Sequence, residues 1–242
     1  PYGTWIIHEI ESPKGYVLSQ EEIAVTISEV DEIVEISLVN YFIRGSISLT
    51  KVDKDYPDNK LTGAVFEVYS DTNGDGKLDK DDALLGTMTE MEGGVYQMTE
   101  LRYGKYLVRE KTAPTGYILD ENVYPVSIEE NGKTYTVENE AGKGFLNEAQ
   151  KGNLKIVKTS SDGKVEGFSF RITGVNYDQT FKTDKNGEIS IEGLRIGEYT
   201  VSEVSDKASA GYILPADKQA TVQMGATTIV QMHNELRDTP KT

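Results

Sequence analysis

The chain has 242 residues, 37% of them apolar, with 40 acidic against 25 basic side chains and a formal charge of −15. Such a surface repels nucleic-acid phosphates and anionic lipid, and without cysteine and with only His8 and His233 there is little material for disulfides, thiolate or histidine-rich metal sites, or a Ser-His-Asp triad. No run approaches the about 18 apolar residues of a membrane span, and a mean hydropathy of −0.45 points to several thin cores.

Read from the N-terminus, nearly every periodic stretch alternates apolar and polar residues with period 2, as strands do. The chain opens with Gly3-Thr-Trp-Ile-Ile-His-Glu9, continues through Ser12-Pro-Lys-Gly-Tyr-Val-Leu18 and reaches Ser37-Leu-Val-Asn40. Gly45-Ser-Ile-Ser-Leu-Thr-Lys51 starts something new. Gly104-Lys-Tyr-Leu-Val-Arg-Glu110 and Ala113-Pro-Thr-Gly-Tyr-Ile-Leu119 then repeat the opening, and Gly144-Phe-Leu-Asn147 repeats the close. The cycle runs again as Gly152-Asn-Leu-Lys-Ile-Val-Lys158, Gly197-Glu-Tyr-Thr-Val-Ser-Glu203, Ala210-Gly-Tyr-Ile-Leu214 and Val230-Gln-Met-His-Asn234. Glu and closing Asn are 31, 37 and 31 residues apart, and opening Lys and Glu are 59 and 45 apart. The pattern predicts an all-β chain of tandem sandwiches with little helix. Two complete units, 44–149 and 150–236, follow 1–43, the C-terminal part of a third, and a short tail, 237–242, ends the chain. The leading part lacks the strand that would carry its Lys; Lys14 lies in a turn instead. It is expected to leave a sheet edge unpaired.

Parity places three polar residues of each unit on the core face. Lys51 is in phase with Ile47 and Leu49, and Lys158 with Leu154 and Ile156. Glu110 follows Tyr106 and Val108, Glu203 follows Tyr199 and Val201, Asn147 follows Phe145, and Asn234 follows Met232. An inward Lys at a strand end ordinarily snorkels to water, but three polar residues recurring together in phase point to chemistry. Burial drives a lysine toward roughly 5–6 and a glutamate toward roughly 8–9, so both become neutral. A neutral amine held against a carboxamide attacks its carbon, and a protonated Glu polarises the amide oxygen and passes a proton to departing ammonia. The expected products are Lys51–Asn147 and Lys158–Asn234 isopeptide bonds, with Glu110 and Glu203 as the acids. Glu9 and Asn40 hold the same places in 1–43, where the partner Lys is absent.

The units resemble the collagen-adhesin B-type domains (CnaB, or SpaA-like) of Gram-positive surface proteins and pilins. The resemblance rests on Lys51-Val-Asp53, the Tyr-x-Val-x-Glu-x-x-Ala-Pro-x-Gly-Tyr pattern over Tyr106 to Tyr117, and Phe145-Leu-Asn147-Glu148, and it covers essentially the whole chain. It implies Greek-key, immunoglobulin-like (prealbumin-like) sandwiches of seven strands or a similar number, whose first and last strands are joined by the Lys–Asn bond, with Glu catalysing it. The third unit departs from the pattern at Ala208-Ser-Ala-Gly-Tyr212.

Two further motifs stand apart from the repeats. Asp71, Asn73, Asp75, Lys77, Asp79 and Asp82 occupy positions 1, 3, 5, 7, 9 and 12 of an EF-hand-like loop, with Gly76 at position 6 and Leu78 at position 8. Hard oxygens at that spacing suit one structural Ca2+, with Lys77 contributing its backbone carbonyl; the bare alternative is an acidic hairpin turn. Asp238-Thr-Pro-Lys-Thr242 looks like a sortase sorting signal cut after its Thr, which would make Thr242 the attachment point to peptidoglycan or to a pilin subunit. Val123-Tyr-Pro-Val126 has Val where a pilin-polymerisation motif carries Lys, which favours a wall-anchored stalk over a shaft subunit. His8 and His233 are out of phase with the core, whereas Trp5 and most of the 14 tyrosines read as core or strand residues.

The expected function is an extracellular, cell-wall-anchored stalk that is no enzyme beyond its own single-turnover cross-linking. The rival readings are an adhesin module for host matrix or glycan and an accessory module of a secreted hydrolase.

Overall fold

In a computed structural model of the chain, described here for residues 2–237, almost every regular element is a strand, interrupted by one 3-10 turn at Glu92–Gly94. No helix among the described residues is long and apolar enough to cross a membrane. The chain divides into two compact units after Glu148, and residues 2–43 belong to the first.

That leading segment forms a two-stranded antiparallel ribbon, β1 (Gly3–His8) with β2 (Glu22–Ile27). Among its described residues only Val25 is buried. Trp5 is 47% exposed and Ile10 84%, so Trp5 is not a core residue as its strand position suggested. Among the described residues no second sheet covers the ribbon, and alternation places a side chain on a face without ensuring that anything packs there. Tyr2, Tyr41 and Tyr56 are exposed as well.

Residues 44–148 form a sandwich of β3 (Arg44–Asp53), β4 (Val65–Ser70), β5 (Ala83–Thr87), β6 (Thr89–Met91), β7 (Val95–Arg102), β8 (Gly104–Thr112), β9 (Val123–Ile128), β10 (Thr134–Thr136) and β11 (Phe145–Asn147). One sheet runs β10-β3-β7-β6, with β11 also on β3, and the other runs β5-β4-β8-β9. The inward residues Ile47, Leu49, Phe66, Val68, Tyr96, Val108, Ile128 and Phe145 fill the space between them. The closing edge of β3 is shared by two short parallel strands: β10 pairs with Ser46–Ser48 and β11 with Lys51–Asp53. Entry into β11 requires Gly144, whose φ is +87° and where a Cβ would lie 2.9 Å from Thr50 O.

The second unit repeats the plan with β12 (Lys151–Ser160), β13 (Ser169–Gly174), β14 (Tyr177–Lys182), β15 (Glu188–Arg195), β16 (Gly197–Val204), β17 (Tyr212–Ile213), β18 (Lys218–Val222) and β19 (Thr227–Leu236). Its sheets run β15-β12-β19-β17 and β14-β13-β16-β18 around a core of its own. Here β19 pairs in parallel with β12 without a break, from Asn153↔Thr227 to Ser160↔Asn234. Both sandwiches carry more strands than the seven expected, because short edge strands such as β6 and β17 extend the sheets.

Candidate functional site

Each sandwich holds one polar cluster inside its core, at the junction of first and last strands. Lys51 pairs with Phe145 across β3 and β11, and Asn147 lies two residues on, so Lys51 and Asn147 share a face. Glu110 approaches from β8 of the opposing sheet, opposite Phe66. Lys51, Glu110 and Asn147 are 0%, 3% and 2% exposed. Lys51 Nζ lies 3.2 Å from Glu110 Oε1 and donates to Phe145 O at 3.3 Å. Asn147 Nδ2 donates to Glu110 Oε2 at 2.9 Å and also to Ile118 O. Asp120 N donates to Glu110 Oε2 at 2.8 Å. The Phe145 and Phe66 rings stand 4.4 and 5.8 Å from Nζ and shut out water. That burial pulls the Lys51 amine down to about 8, with Glu110 opposing the shift.

The second unit repeats the strand placement and the Asn–Glu contact but not the Lys–Glu contact. Lys158 pairs with Met232, Asn234 again lies two residues on, and Glu203 sits opposite Phe170 on the facing sheet. Asn234 Nδ2 donates to Glu203 Oε1 at 2.7 Å. Lys158 is buried 4.2 Å from the Phe168 ring, and its Nζ donates to Thr159 O. Burial lowers the Lys158 amine and raises the Glu203 carboxyl, so desolvation favours the neutral form of each. No ion pair joins the two among the described residues, unlike Lys51 and Glu110.

Three buried side-chain oxygens lack any partner among the described residues, Asn147 Oδ1, Glu203 Oε2 and Asn234 Oδ1, and a fourth, Glu110 Oε1, has only its 3.2 Å ion-pair contact with Lys51 Nζ. Orphaned buried polar atoms are costly and rare. Here all of them fall on the two Glu–Asn pairs, so the strain of unmet hydrogen bonding is confined to the candidate sites. An amine, a carboxyl group and a carboxamide buried in one core have the parts that amide exchange requires.

In the leading segment Glu9 Oε2 accepts from Asn40 Nδ2 and Ser19 N, both at 2.7 Å, and Asn40 Nδ2 also reaches Val17 O at 3.2 Å. These match the Glu110, Asn147, Asp120 N and Ile118 O contacts, so the pair assembles without a lysine.

Sequence reasoning missed several supports. Tyr117 OH donates to Asp53 Oδ2 at 2.7 Å, and Tyr212 OH donates to Asp162 at 2.8 Å, pinning the Gly-Tyr turn to the end of the first strand in one sandwich and to the turn just after it in the other. The repeated Tyr was visible, but its partner lies two residues after Lys51 in one unit and four after Lys158 in the other. The N–H of Asp120 and the carbonyl of Ile118 are backbone groups and leave no sequence signal.

The acidic loop folds around Asp71, which is 7% exposed and accepts from Gly74 N at 2.7 Å and Gly76 N at 3.1 Å. Asp82 accepts from Thr72 N at 3.1 Å and Asp79 N at 2.8 Å, Asn73 Nδ2 donates to Asp79 Oδ2 at 3.1 Å, and Asp75 accepts from Lys77 N at 2.8 Å. The all-oxygen side-chain set suits a hard divalent cation. Its carboxylates are engaged by the loop's own N–H groups, and no three metal-binding side chains converge among the described residues. His8 and His233 are exposed, as their phase implied. Thr242 lies outside the described residues.

Comparison with known proteins agrees with this architecture. The family model for the SpaA prealbumin-like fold domain matches residues 1–41, 45–143 and 152–236. Serine-aspartate repeat-containing protein D of Staphylococcus aureus (strain Newman) is 32% identical over 168 residues, 55% of this chain. The chain spans only 13% of that relative's length. The Bacillus anthracis TIE protein superposes with a TM-score of 0.75 over 98% of this chain and 42% of that chain at 24% identity, a likeness of fold. With three family matches covering nearly all of its length, the chain belongs to the SpaA prealbumin-like fold domain family.

Proposed function

We propose that this chain is part of the stalk of a Gram-positive surface protein or pilin, stiffened by two isopeptide bonds that it makes itself, Lys51–Asn147 and Lys158–Asn234. The single observation behind this reading is the buried contact of Glu110 with both Lys51 Nζ, at 3.2 Å, and Asn147 Nδ2, at 2.9 Å. Neutral Nζ attacks Asn147 Cγ, the new C–N bond forms, the Cγ–Nδ2 bond breaks, and Nδ2 leaves as ammonia carrying the proton that Glu110 relays. Lys158, Asn234 and Glu203 do the same in the second unit. Fixed geometry supplies most of the rate, since near-attack placement is worth roughly 7–11 kcal/mol. Each domain turns over once.

Tension applied along the chain would enter a sandwich at the lysine of its first strand, cross the new bond and leave from its last strand, bypassing the strands between. By analogy with disulfides, closing a loop of about 100 residues adds up to roughly 4–5 kcal/mol. The 71–82 loop would hold one Ca2+ through Asp71, Asn73, Asp75, Asp79, Asp82 and the Lys77 carbonyl, and Thr242 would be the sortase attachment point to peptidoglycan or another pilin subunit. Such a stalk lies outside the cell and anchored to its wall.

Intact mass is the test. The wild type should fall short of its sequence mass by two ammonia molecules, and Glu110→Ala and Glu203→Ala should each restore one. A wild type of full mass overturns the chemistry.

A further inference from the structure

The first sandwich has a difficulty that the second lacks. In the second, Asn234 is held by the eight-residue ladder between β12 and β19. In the first, the closing edge is broken between β10 and β11, and β11 has only three residues, so Asn147 is carried by a strand too short to fix its own register.

Asn139, in the loop that makes the break, bridges this gap. Its Oδ1 accepts from Leu146 N at 2.7 Å, and its Nδ2 donates to Leu146 O at 2.8 Å. Alternate strand residues bond to opposite sides. Asn147 O accepts from Lys54 N of the first-strand segment, so the Leu146 amide faces away, and the Asn139 side chain pairs with it as a neighbouring strand would. The same Nδ2 donates to Asp120 Oδ2 at 2.9 Å, and Tyr124 OH donates to that oxygen at 2.7 Å. Asp120 in turn sends its backbone N–H to Glu110 Oε2 at 2.8 Å. One connected path therefore runs from the acid, through Asp120 and Asn139, to the residue beside the carboxamide. A cleft of about 670 Å³ lined by Asp120, Asn139 and Asn147 opens at this point.

We infer that Asn139 and Asp120 are positioning residues for the Lys51–Asn147 bond, holding β11 so that the Asn147 carboxamide stays against Glu110 and Lys51. The inference rests on the cross-linking reading above and adds two residues of the first sandwich to it. Among the described residues no counterpart of the Asn139 clamp borders Asn234, which the ladder holds instead.

The second site serves as an internal control. The full chain is pulse-synthesised in a cell-free system and sampled by intact mass over time, with peptide mapping to assign each lost ammonia and circular dichroism to follow folding. Misplacing reacting groups by about 1 Å costs about 100-fold. Asn139→Ala should therefore fold as the wild type does and slow ammonia loss at Lys51–Asn147 by roughly 10–100-fold. Loss at Lys158–Asn234 should keep the wild-type rate. The exchange Asp120→Asn with Asn139→Asp restores a hydrogen bond between the two side chains and keeps an acceptor for Leu146 N, so it should react faster than Asn139→Ala, a rescue that loss of bulk packing would not give. Equal rates for wild type and Asn139→Ala at the first site overturn the inference while leaving the cross-linking intact. A wild type that loses no ammonia at either site overturns both.

Discussion

Lys51 and Asn147 occupy one face of two parallel neighbouring strands, offset by two residues, and Lys158 and Asn234 repeat that offset. A diagonal neighbour on the same face is beyond the reach of a short side chain and within that of an extended lysine. Because side chains alternate, moving the carboxamide by one position turns it out of the core. The paired exchange Leu146→Asn with Asn147→Leu keeps composition and apolar volume but should abolish ammonia loss at the first site alone. Cross-linking there at the wild-type extent, read by peptide mapping, would show that register is not what brings the groups together.

Removing the lysine should cost more than removing the bond. In Lys51→Met the Glu110 carboxyl stays buried without its cation, and stranding one member of a buried pair costs roughly 3–5 kcal/mol. Lys51→Met with Glu110→Gln also lacks the bond but buries no unpaired charge. Urea denaturation should therefore find the double variant more stable than the single one by about 3 kcal/mol. Equal midpoints would mean that the carboxyl is indifferent to its partner.

The contrast between what could and could not be read beforehand follows from which atoms do the work. Lys51, Glu110 and Asn147 were legible because each interrupts an apolar alternation at a fixed place in a repeat, and the structure brings all three within hydrogen-bonding range. Asp120 was not, because it reaches Glu110 through a backbone N–H that any residue but proline carries. Asn139 was not, because its partner is also backbone and the broken closing strand that calls for it is a matter of topology. Trp5 was misplaced for another reason. Period 2 identifies the two faces of a strand, and whether a face is covered depends on strands that residues 1–43 do not supply.

The acidic loop already closes through N–H bonds to Asp71 and Asp82, and Lys105 Nζ donates to Gly74 O at 2.9 Å, tying it to β8. An ion bound there should stiffen an existing turn. Extracellular sites of this kind bind Ca2+ at about 0.1–1 mM. At about 10 mM Ca2+ the first sandwich should gain about 1.4–2.7 kcal/mol, seen as a rise in Tm of several degrees relative to chelator. Asp71→Ala should remove the gain. A wild-type Tm indifferent to millimolar Ca2+ would leave the loop as an ion-free turn.

The lowered Lys51 amine gives a pH signature that separates joined from unjoined protein. In Asn147→Ala the amine stays free, with a folded value near 8 against 10.5 for the ordinary side chain. Below pH 8 both folded and unfolded chains hold the proton, and the cost of burying it is present in full. Between about pH 8 and 10.5 the unfolded chain binds more protons than the folded one, so stability rises with pH. Above that window neither holds the proton and the cost is gone. The whole rise is at most on the order of 3 kcal/mol. In the cross-linked wild type Nζ is an amide nitrogen with no proton to titrate, so the variant should gain on the wild type as pH climbs through this range. The same shift means that newly folded wild type should cross-link faster as pH is raised toward and past 8, because the neutral amine is the nucleophile. Urea midpoints of the two proteins at several pH values from 7 to 10.5 test the first statement, and timed intact masses test the second. Parallel stability curves would mean that Lys51 is either solvated in the folded variant or still free in the wild type.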